Sequence, residues 1–240
     1  MPDNTSVLDH TVVSEAEWVK ARKAHMKREK ELTRLRDELS AERRGLPWLE
    51  LDKDYVFSDA SGTFTLAELF QGRSQLIVYH FMYGPDWEEG CPSCSFWADN
   101  FDGIPVHLAH RDATFVAVSR ASVEQLEAYA ARLGWSFPWY SSADCDFNFD
   151  MGVSFVPVEG EEPGPNYNFG TKSFGGDEAP GVSVFYRDND RVFLTYQTFA
   201  RGLDILNGAY HYLDLTPKGR DEDELPWTMA WLSRNDAYTE

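Results

Sequence analysis

Two of the chain's three cysteines, Cys91 and Cys94, stand three positions apart in HFMYGPDWEEGCPSCSFWADNF, the run from His80 to Phe101. Three kinds of chemistry fit that spacing: a redox-active dithiol, half of a zinc site, or two core thiols with no reaction to perform. The pair follows an apolar run, Leu76 to Tyr83, and opens a segment that reads as a helix from Pro92 to Phe101. A cysteine at a helix N-terminus faces unpaired backbone N–H groups and the positive end of the helix dipole, and both favour thiolate. Such a site brings a thiol pKa from about 8.5 to roughly 3.5–7.5 and makes the sulfur nucleophilic near neutral pH. Pro92 suits the first helical position, where its missing N–H costs nothing. Cys94 falls in the same turn and can close a disulfide by attacking a mixed disulfide on Cys91. In that chemistry Cys91 attacks and Cys94 resolves.

The zinc alternative rests on Cys91-x2-Cys94-x12-His107-x2-His110, which approaches a finger of two cysteines and two histidines. The histidines stand too close together to share a helical face well. Ala98 occupies the place of a finger's core Phe, and Pro105 is expected to break the helix that would carry both histidines. The apolar strand before Cys91 implies a core that folds without metal. The favoured reading is a dithiol that uses no metal and no cofactor.

The rest of the chain shows what must hold that turn in place. At 240 residues, with 42% hydrophobic and 15% aromatic content, it suits one generous domain, or one domain with an appendage. The amino terminus, MPDNTSVLDHTVV, has no basic stretch leading into an apolar one, and no apolar run approaches bilayer length. The expected location is the cytoplasm, where a close cysteine pair reads as catalytic or metal-binding rather than as a staple. A net charge of −18 argues against nucleic acid or an anionic membrane as a partner of the body. The charge is uneven: Lys20 to Arg44 holds ten Lys/Arg against five Asp/Glu, net +5, and the rest holds 12 against 35, net −23.

Ser14 and Glu17 have capping-box spacing, and no Gly or Pro follows until Gly45 and Pro47. This reads as one long helix to about Arg44, within a 1–46 extension, with a seam of Trp18, Ala21, His25, Leu32, Leu35 and Leu39. His25 is expected to pack on that seam. From Tyr55 the pattern gives a strand, a Gly turn, a short strand, a brief helix at Leu66 to Phe70 and the buried strand before the cysteines. ATFVAVS is a second buried strand, and Ser122 to Leu133 is a capped helix stopped by Gly134. FPWYSS turns into a short extended segment. Cys145 to Asp177, dense in Gly, Asn, Pro and aromatics without a period, reads as an insertion. GVSVFYRDNDRVFLTYQTF gives two strands around Asp188 to Asp190, and Gly202 to Leu213 a last helix. The organisation is thus an extension at 1–46, a domain at 47–220 and an acidic tail at 221–240.

Strand, CxxC helix, strand, helix, two strands, helix: this order resembles the thioredoxin fold, and GTFTLAELFQGRSQLIVYHF resembles the leader of peroxiredoxins and thioredoxin-like relatives. A closer similarity is to a bacterial family of unknown function labelled as predicted dithiol–disulfide oxidoreductases. It is carried by EWVKARKAHMKREKELTRLRDELSAERRGLPW, YHFMYGP, GCPSCSFWADNF, FPWYSSADCDFNFDMGVSF, PGVSVFYRD and TFARGLD, from about Val13 to Tyr238. The resemblance implies an α/β, thioredoxin-like fold with a central mixed sheet flanked by helices, a long N-terminal helix and an aromatic-rich insertion. It implies thiol–disulfide exchange with a protein or small-molecule thiol or disulfide.

The same resemblance assigns roles by position. A cis-proline lies opposite the CxxC of thioredoxins, and Pro180 stands in its place, where a cis bond would present the backbone of Ala179 to a bound substrate. A trans proline that merely starts a strand is the alternative. Thioredoxins carry a buried acid in the strand before the motif; His80 stands there and could serve Cys94 as a neutral base, or simply be hydrogen-bonded in the core. Thioredoxins have Trp directly before the first Cys, whereas Gly90 is here and Trp87 is the nearest Trp. Trp87, Pro92 and Ser93 are the remaining candidates for substrate contact. A peroxiredoxin-like peroxidase would need an arginine at the thiolate, for which Arg111, Arg120 and Arg201 are available; Cys145 is a distant resolving candidate. A non-catalytic binding or assembly protein on the same fold is the other alternative. The basic helix Ser14 to Arg44 is expected to mediate homodimerisation on the acidic surface of a second subunit; a helix that folds back on its own domain is the alternative.

Overall fold

The computed structural model describes residues 10–156, 164 and 166–239, and the chain divides into two compact units, Met1–Leu46 and Pro47–Glu240. The first holds one helix, α1 (Glu15–Arg44). It starts at a reciprocal cap: the Glu17 N–H donates to Ser14 Oγ at 3.4 Å, and the Ser14 N–H to the Glu17 carboxylate at 3.0 Å. It runs 30 residues because nothing inside interrupts it, and Gly45 ends it. Trp18, Leu32, Leu35 and Leu39 are exposed on it. His25, expected to pack on the seam, is exposed beside Glu29 at 3.7 Å.

The second unit is built on an eight-stranded sheet. Its strands are β1 (Leu49–Leu51), β2 (Val56–Asp59), β3 (Gly62–Thr65), β4 (Gln75–His80), β5 (Ala113–Ser119), β6 (Trp139–Ser141), β7 (Gly181–Asp188) and β8 (Arg191–Phe199). Their order in space is β1-β8-β7-β4-β5-β6-β2-β3. β4, β5 and β6 run parallel, and β7 and β8 complete that core antiparallel. This is a thioredoxin-like sheet, with β4 in its interior. β4 and β5 read as continuous apolar runs because helices and loops cover both their faces.

The pleat of β4 divides the core. Ile77, Tyr79 and Phe81 face a cluster that includes Cys94, Trp97, Leu126, Tyr129, Leu133, Trp135 and Trp139. Those residues come from α2 (Pro92–Ala98), α4 (Val123–Leu133) and the chain leading into β6. Leu76 and Val78 face the other cluster, with Phe57, Phe70, Phe147 and Phe185.

Three elements depart from the sequence expectation. The cysteine helix stops at Ala98, and a further helix, α3 (Ile104–Ala109), follows. Pro105 therefore helps begin a helix instead of breaking one, because the first turn has no use for its N–H. The expected last helix splits into a 3-10 stretch, Ala200–Leu206, and a helix, Gly208–Leu213, where Asn207 accepts the Tyr210 N–H at 3.1 Å. Within the insertion, α5 (Phe147–Asp150) is a single turn that supplies Phe147 to the core. Asn168 and Phe169 take left-handed backbone angles, φ 51° and 59°, a costly choice for Phe. Residues 157–163 and 165 of the insertion lie outside the described residues. No helix among the described residues is long and apolar enough to cross a membrane.

Candidate active site

Cys91 is the N-cap of α2, with Pro92 behind it. The chain leaving β4 folds back over this turn: the Cys91 N–H donates to the Met82 carbonyl at 3.0 Å, and the Met82 N–H to Cys94 Sγ at 3.4 Å. Cys91 is half-buried, Cys94 is buried at 2% exposure, and both thiols are free. The two sulfurs are pushed in opposite directions. The Cys94 thiol, assisted by the backbone N–H groups of Cys94 and Ser93, brings the Cys91 pKa from 9.0 down to about 7. Burial, then the neighbouring Cys91, pushes Cys94 well above the ordinary thiol value. One sulfur is therefore a thiolate for much of the time at neutral pH, and the other is held as its hydrogen-bond donor.

Tyr79, 1% exposed, lies with its hydroxyl against Cys94. Burial, then Cys94, holds the Tyr79 hydroxyl protonated well above its usual 10. It is a donor aimed at the Cys94 sulfur. Pleat parity carries the signal for it, since Tyr79 shares the α2 side of β4 with Phe81.

His80, expected to act as base for Cys94, is instead on the opposite face. Successive strand residues point to opposite sides, so if Tyr79 meets Cys94, His80 cannot. Its Nε2 lies 2.7 Å from Ser183 Oγ and its ring 5.6 Å from that of Phe147, in the second cluster. Burial pushes its pKa down to about 3. The structure gives the core alternative for this histidine.

The Ala179–Pro180 bond is trans, and Pro180 directly precedes β7, as a strand-starting proline does. The Ala179 N–H is already committed to the Val153 carbonyl at 2.7 Å, and Ala179 is buried. It offers no free donor to a substrate. The Pro180 carbonyl accepts from the Tyr167 hydroxyl at 2.8 Å, and the Cys94 sulfur acts electrostatically on that hydroxyl, so this proline does lie toward the thiols.

Of the other candidates, Pro92 is exposed, and Ser93 and Trp87 are half-buried. Trp87 packs against the first cluster and its carbonyl accepts from Gln125 at 3.0 Å. Gly90 explains the missing Trp before Cys91. A Cβ there would lie 2.7 Å from the Phe81 ring and 3.0 Å from that of Tyr129. Arg120 is paired with the buried Glu178 at 2.9 Å, Arg201 with Asp204 at 3.0 Å, and Arg111 is exposed. Cys145 packs against the second cluster, across the sheet from Cys94. His107 is exposed on α3 and His110 caps it, while Cys94 is buried. Among the described residues no three His, Cys, Asp or Glu form a group that could hold a metal ion.

A sequence profile for a family of bacterial proteins of unknown function, DUF899, matches residues 7–238, and the chain belongs to that family. No curated protein matches it. Among solved structures it is similar to a mutant of PrxQ from Xylella fastidiosa, with TM-score 0.42, 15% identity and coverage of 68% of this chain and 90% of that one. It is also similar to peroxidoxin BcpB from Mycobacterium tuberculosis, with TM-score 0.43, 16% identity and coverage of 64% and 89%. A third neighbour, from Bacteroides vulgatus, is assigned as a thiol-disulfide oxidoreductase, with TM-score 0.33, 20% identity and coverage of 44% and 70%.

Proposed function

We propose that the protein is a dithiol–disulfide oxidoreductase. The Cys91 thiolate attacks one sulfur of a substrate disulfide, forming a mixed disulfide and releasing the first substrate thiolate. Cys94 then loses its proton to that leaving thiolate and attacks Cys91 Sγ, releasing the second. The substrate gains two electrons, one proton from Cys94 and, on the second thiolate, one proton from solvent, and the protein ends with a Cys91–Cys94 disulfide that an external thiol or dithiol must reduce. The observation that supports this reading is the asymmetric pair in one helical turn, with a lowered Cys91 and a raised Cys94. Met82 N–H and Tyr79 O–H are the donors that meet the charge as it develops on Cys94. The substrate is a protein or small-molecule disulfide, and the chemistry suits a reducing compartment such as the cytoplasm.

Differential alkylation tests the assignment. With reduced protein near pH 7, Cys91 should label first, and faster than buried Cys94 by on the order of tenfold or more. Its rate should rise with pH through a midpoint near 7. Faster labelling of Cys94 would reverse the roles, and a midpoint at the ordinary thiol value would remove the basis for catalysis.

The reading includes a homodimer formed through α1, whose +5 segment between Lys20 and Arg44 complements the −23 of the remaining sequence. The exposed Trp18, Leu32, Leu35 and Leu39 supply its apolar contact. Light scattering should give a dimer for the full chain and a monomer after removal of residues 1–46. A monomeric full chain, or a truncated dimer, would refute this.

A further inference from the structure

The carboxy-terminal segment reads as an acidic tail, yet it is tied to the turn that carries Cys91. Arg234 uses its whole guanidinium there. Nη2 donates to the Gly90 carbonyl at 2.8 Å, Nε to the Tyr129 hydroxyl at 2.6 Å, and Nη1 pairs with Glu89 at 2.7 Å. The Tyr129 hydroxyl donates in turn to the same Gly90 carbonyl at 3.1 Å. On the other side of that peptide, the Cys91 N–H is held by Met82 at 3.0 Å. The Cys91 carbonyl accepts from the Ser95 N–H and from Ser95 Oγ, each at 2.9 Å. Pro92 has no N–H. Every backbone polar group of the two peptides that flank the Cys91 α-carbon is therefore engaged.

The segment that delivers Arg234 is itself anchored. The Trp231 ring stands 5.5 Å from that of Phe96 on α2, and Trp231 Nε1 donates to Glu222 at 2.8 Å. Asn235 donates to Asp99 at 2.7 Å, and Arg132 of α4 pairs with Asp236 at 2.6 Å and with Glu89 at 2.5 Å. The charged and titratable groups around the Gly90 carbonyl are thus Arg234, Arg132, Glu89, Asp236, Tyr129 and Tyr83.

Building on the dithiol reading, we propose that Arg234 is a positioning residue: it latches the carboxy-terminal segment onto the Gly90–Cys91 peptide and so holds the attacking sulfur at the head of α2. A thiolate gains from the Ser93 and Cys94 N–H groups only while Cys91 stays at the N-cap, and Gly90 on its amino side is the residue least able to hold the chain there by itself. A planar guanidinium can bond a carbonyl, a hydroxyl and a carboxylate at once; a lysine ammonium at the end of a flexible stem cannot reach all three.

The test is the pH profile of Cys91 alkylation by iodoacetamide in the full chain, for wild type, R234K and R234A, with Cys94 and Cys145 followed in the same digest. In R234A the midpoint should move from about 7 toward the ordinary thiol range of about 8.5, and the rate at pH 7 should fall several-fold, roughly three- to tenfold. R234K should lie between, and labelling of Cys94 and Cys145 should stay as in wild type. If R234A does not fold, R234Q, which keeps a planar donor without the charge, is read against R234K in the same way. An R234A profile that overlays a wild-type midpoint near 7 overturns the latch and leaves the dithiol reading standing. A variant that opens Cys94 and Cys145 together with Cys91 also overturns it, by making Arg234 a general stability residue. A wild-type Cys91 that titrates as an ordinary thiol removes both.

Discussion

Under the proposed dithiol mechanism, replacing Cys94 with serine is expected to convert the protein from a catalyst into a trap. C94S keeps the Cys91 sulfur at the N-cap of α2 with the Ser93 and residue-94 backbone N–H groups still directed at it. It can therefore still attack a disulfide. It cannot release the product, because the second attack needs a sulfur in the same turn and Cys145 lies across the sheet. A small disulfide such as dithionitrobenzoate should give one stoichiometric adduct on Cys91, stable until a thiol is added, while steady-state turnover falls to the uncatalysed background. C91S should show neither adduct nor turnover: a serine hydroxyl is not ionised near pH 7, and Cys94 is buried with its pKa raised. Mass spectrometry of the intact variants distinguishes the two. An adduct on Cys94 in C91S, formed as fast as on Cys91 in C94S, would show that the sulfurs are interchangeable and the asymmetry irrelevant. Because substrates stay attached to C94S, the same variant offers a direct route to the natural partner.

What was legible in the sequence was local. A strand ending at a tight loop, a cysteine, a proline and a second cysteine one turn later announce a helix N-terminus without tertiary knowledge. The capping box at Ser14 and the N-cap at Ser122 are likewise local signals, and both are present, the second as a full capping box with Gln125. What was not legible depended on which face of a strand a distant element covers. Tyr79 and His80 are neighbours in sequence, and choosing between them required knowing that α2 packs on the Tyr79 side. Pro105 misled because a proline reads as a breaker unless the helix start is known, and here it falls within the first turn. Arg234 was beyond reach. It meets Gly90 across 144 positions, from a stretch whose composition reads as an acidic tail. Gly90 carried a usable signal, since it stands where relatives of this fold place a large ring, but the reason is the Phe81 and Tyr129 rings above it.

The second large effect should appear in stability, and it also tests the placement of His80. The ring is 1% exposed, packs near Phe147, and has Ser183 Oγ at Nε2 with no partner for Nδ1 among the described residues. Among the described residues no carboxylate faces it to compensate a positive charge; the neighbouring polar groups are Ser183 and, donating to that hydroxyl at 3.0 Å, Gln197. Burial therefore keeps the ring neutral, with a pKa near 3 in the folded chain against 6.5 when unfolded. Between those values the unfolded chain holds a proton that the native chain excludes. The contribution is complete above about pH 6.5 and declines as the pH falls toward 3, by about 1.4 kcal/mol per pH unit in the middle of that window. Going from pH 7 to pH 4.5 should cost about 2–3 kcal/mol through this residue alone. H80Q places an amide nitrogen near Ser183 without a titrating ring, so urea unfolding of H80Q should lose less stability over that interval by the same 2–3 kcal/mol. Carboxylates contribute equally to both proteins and cancel in the comparison. Equal losses in the two would mean that the native chain takes up the proton at an ordinary pKa, which requires water to reach the Ser183 side of β4.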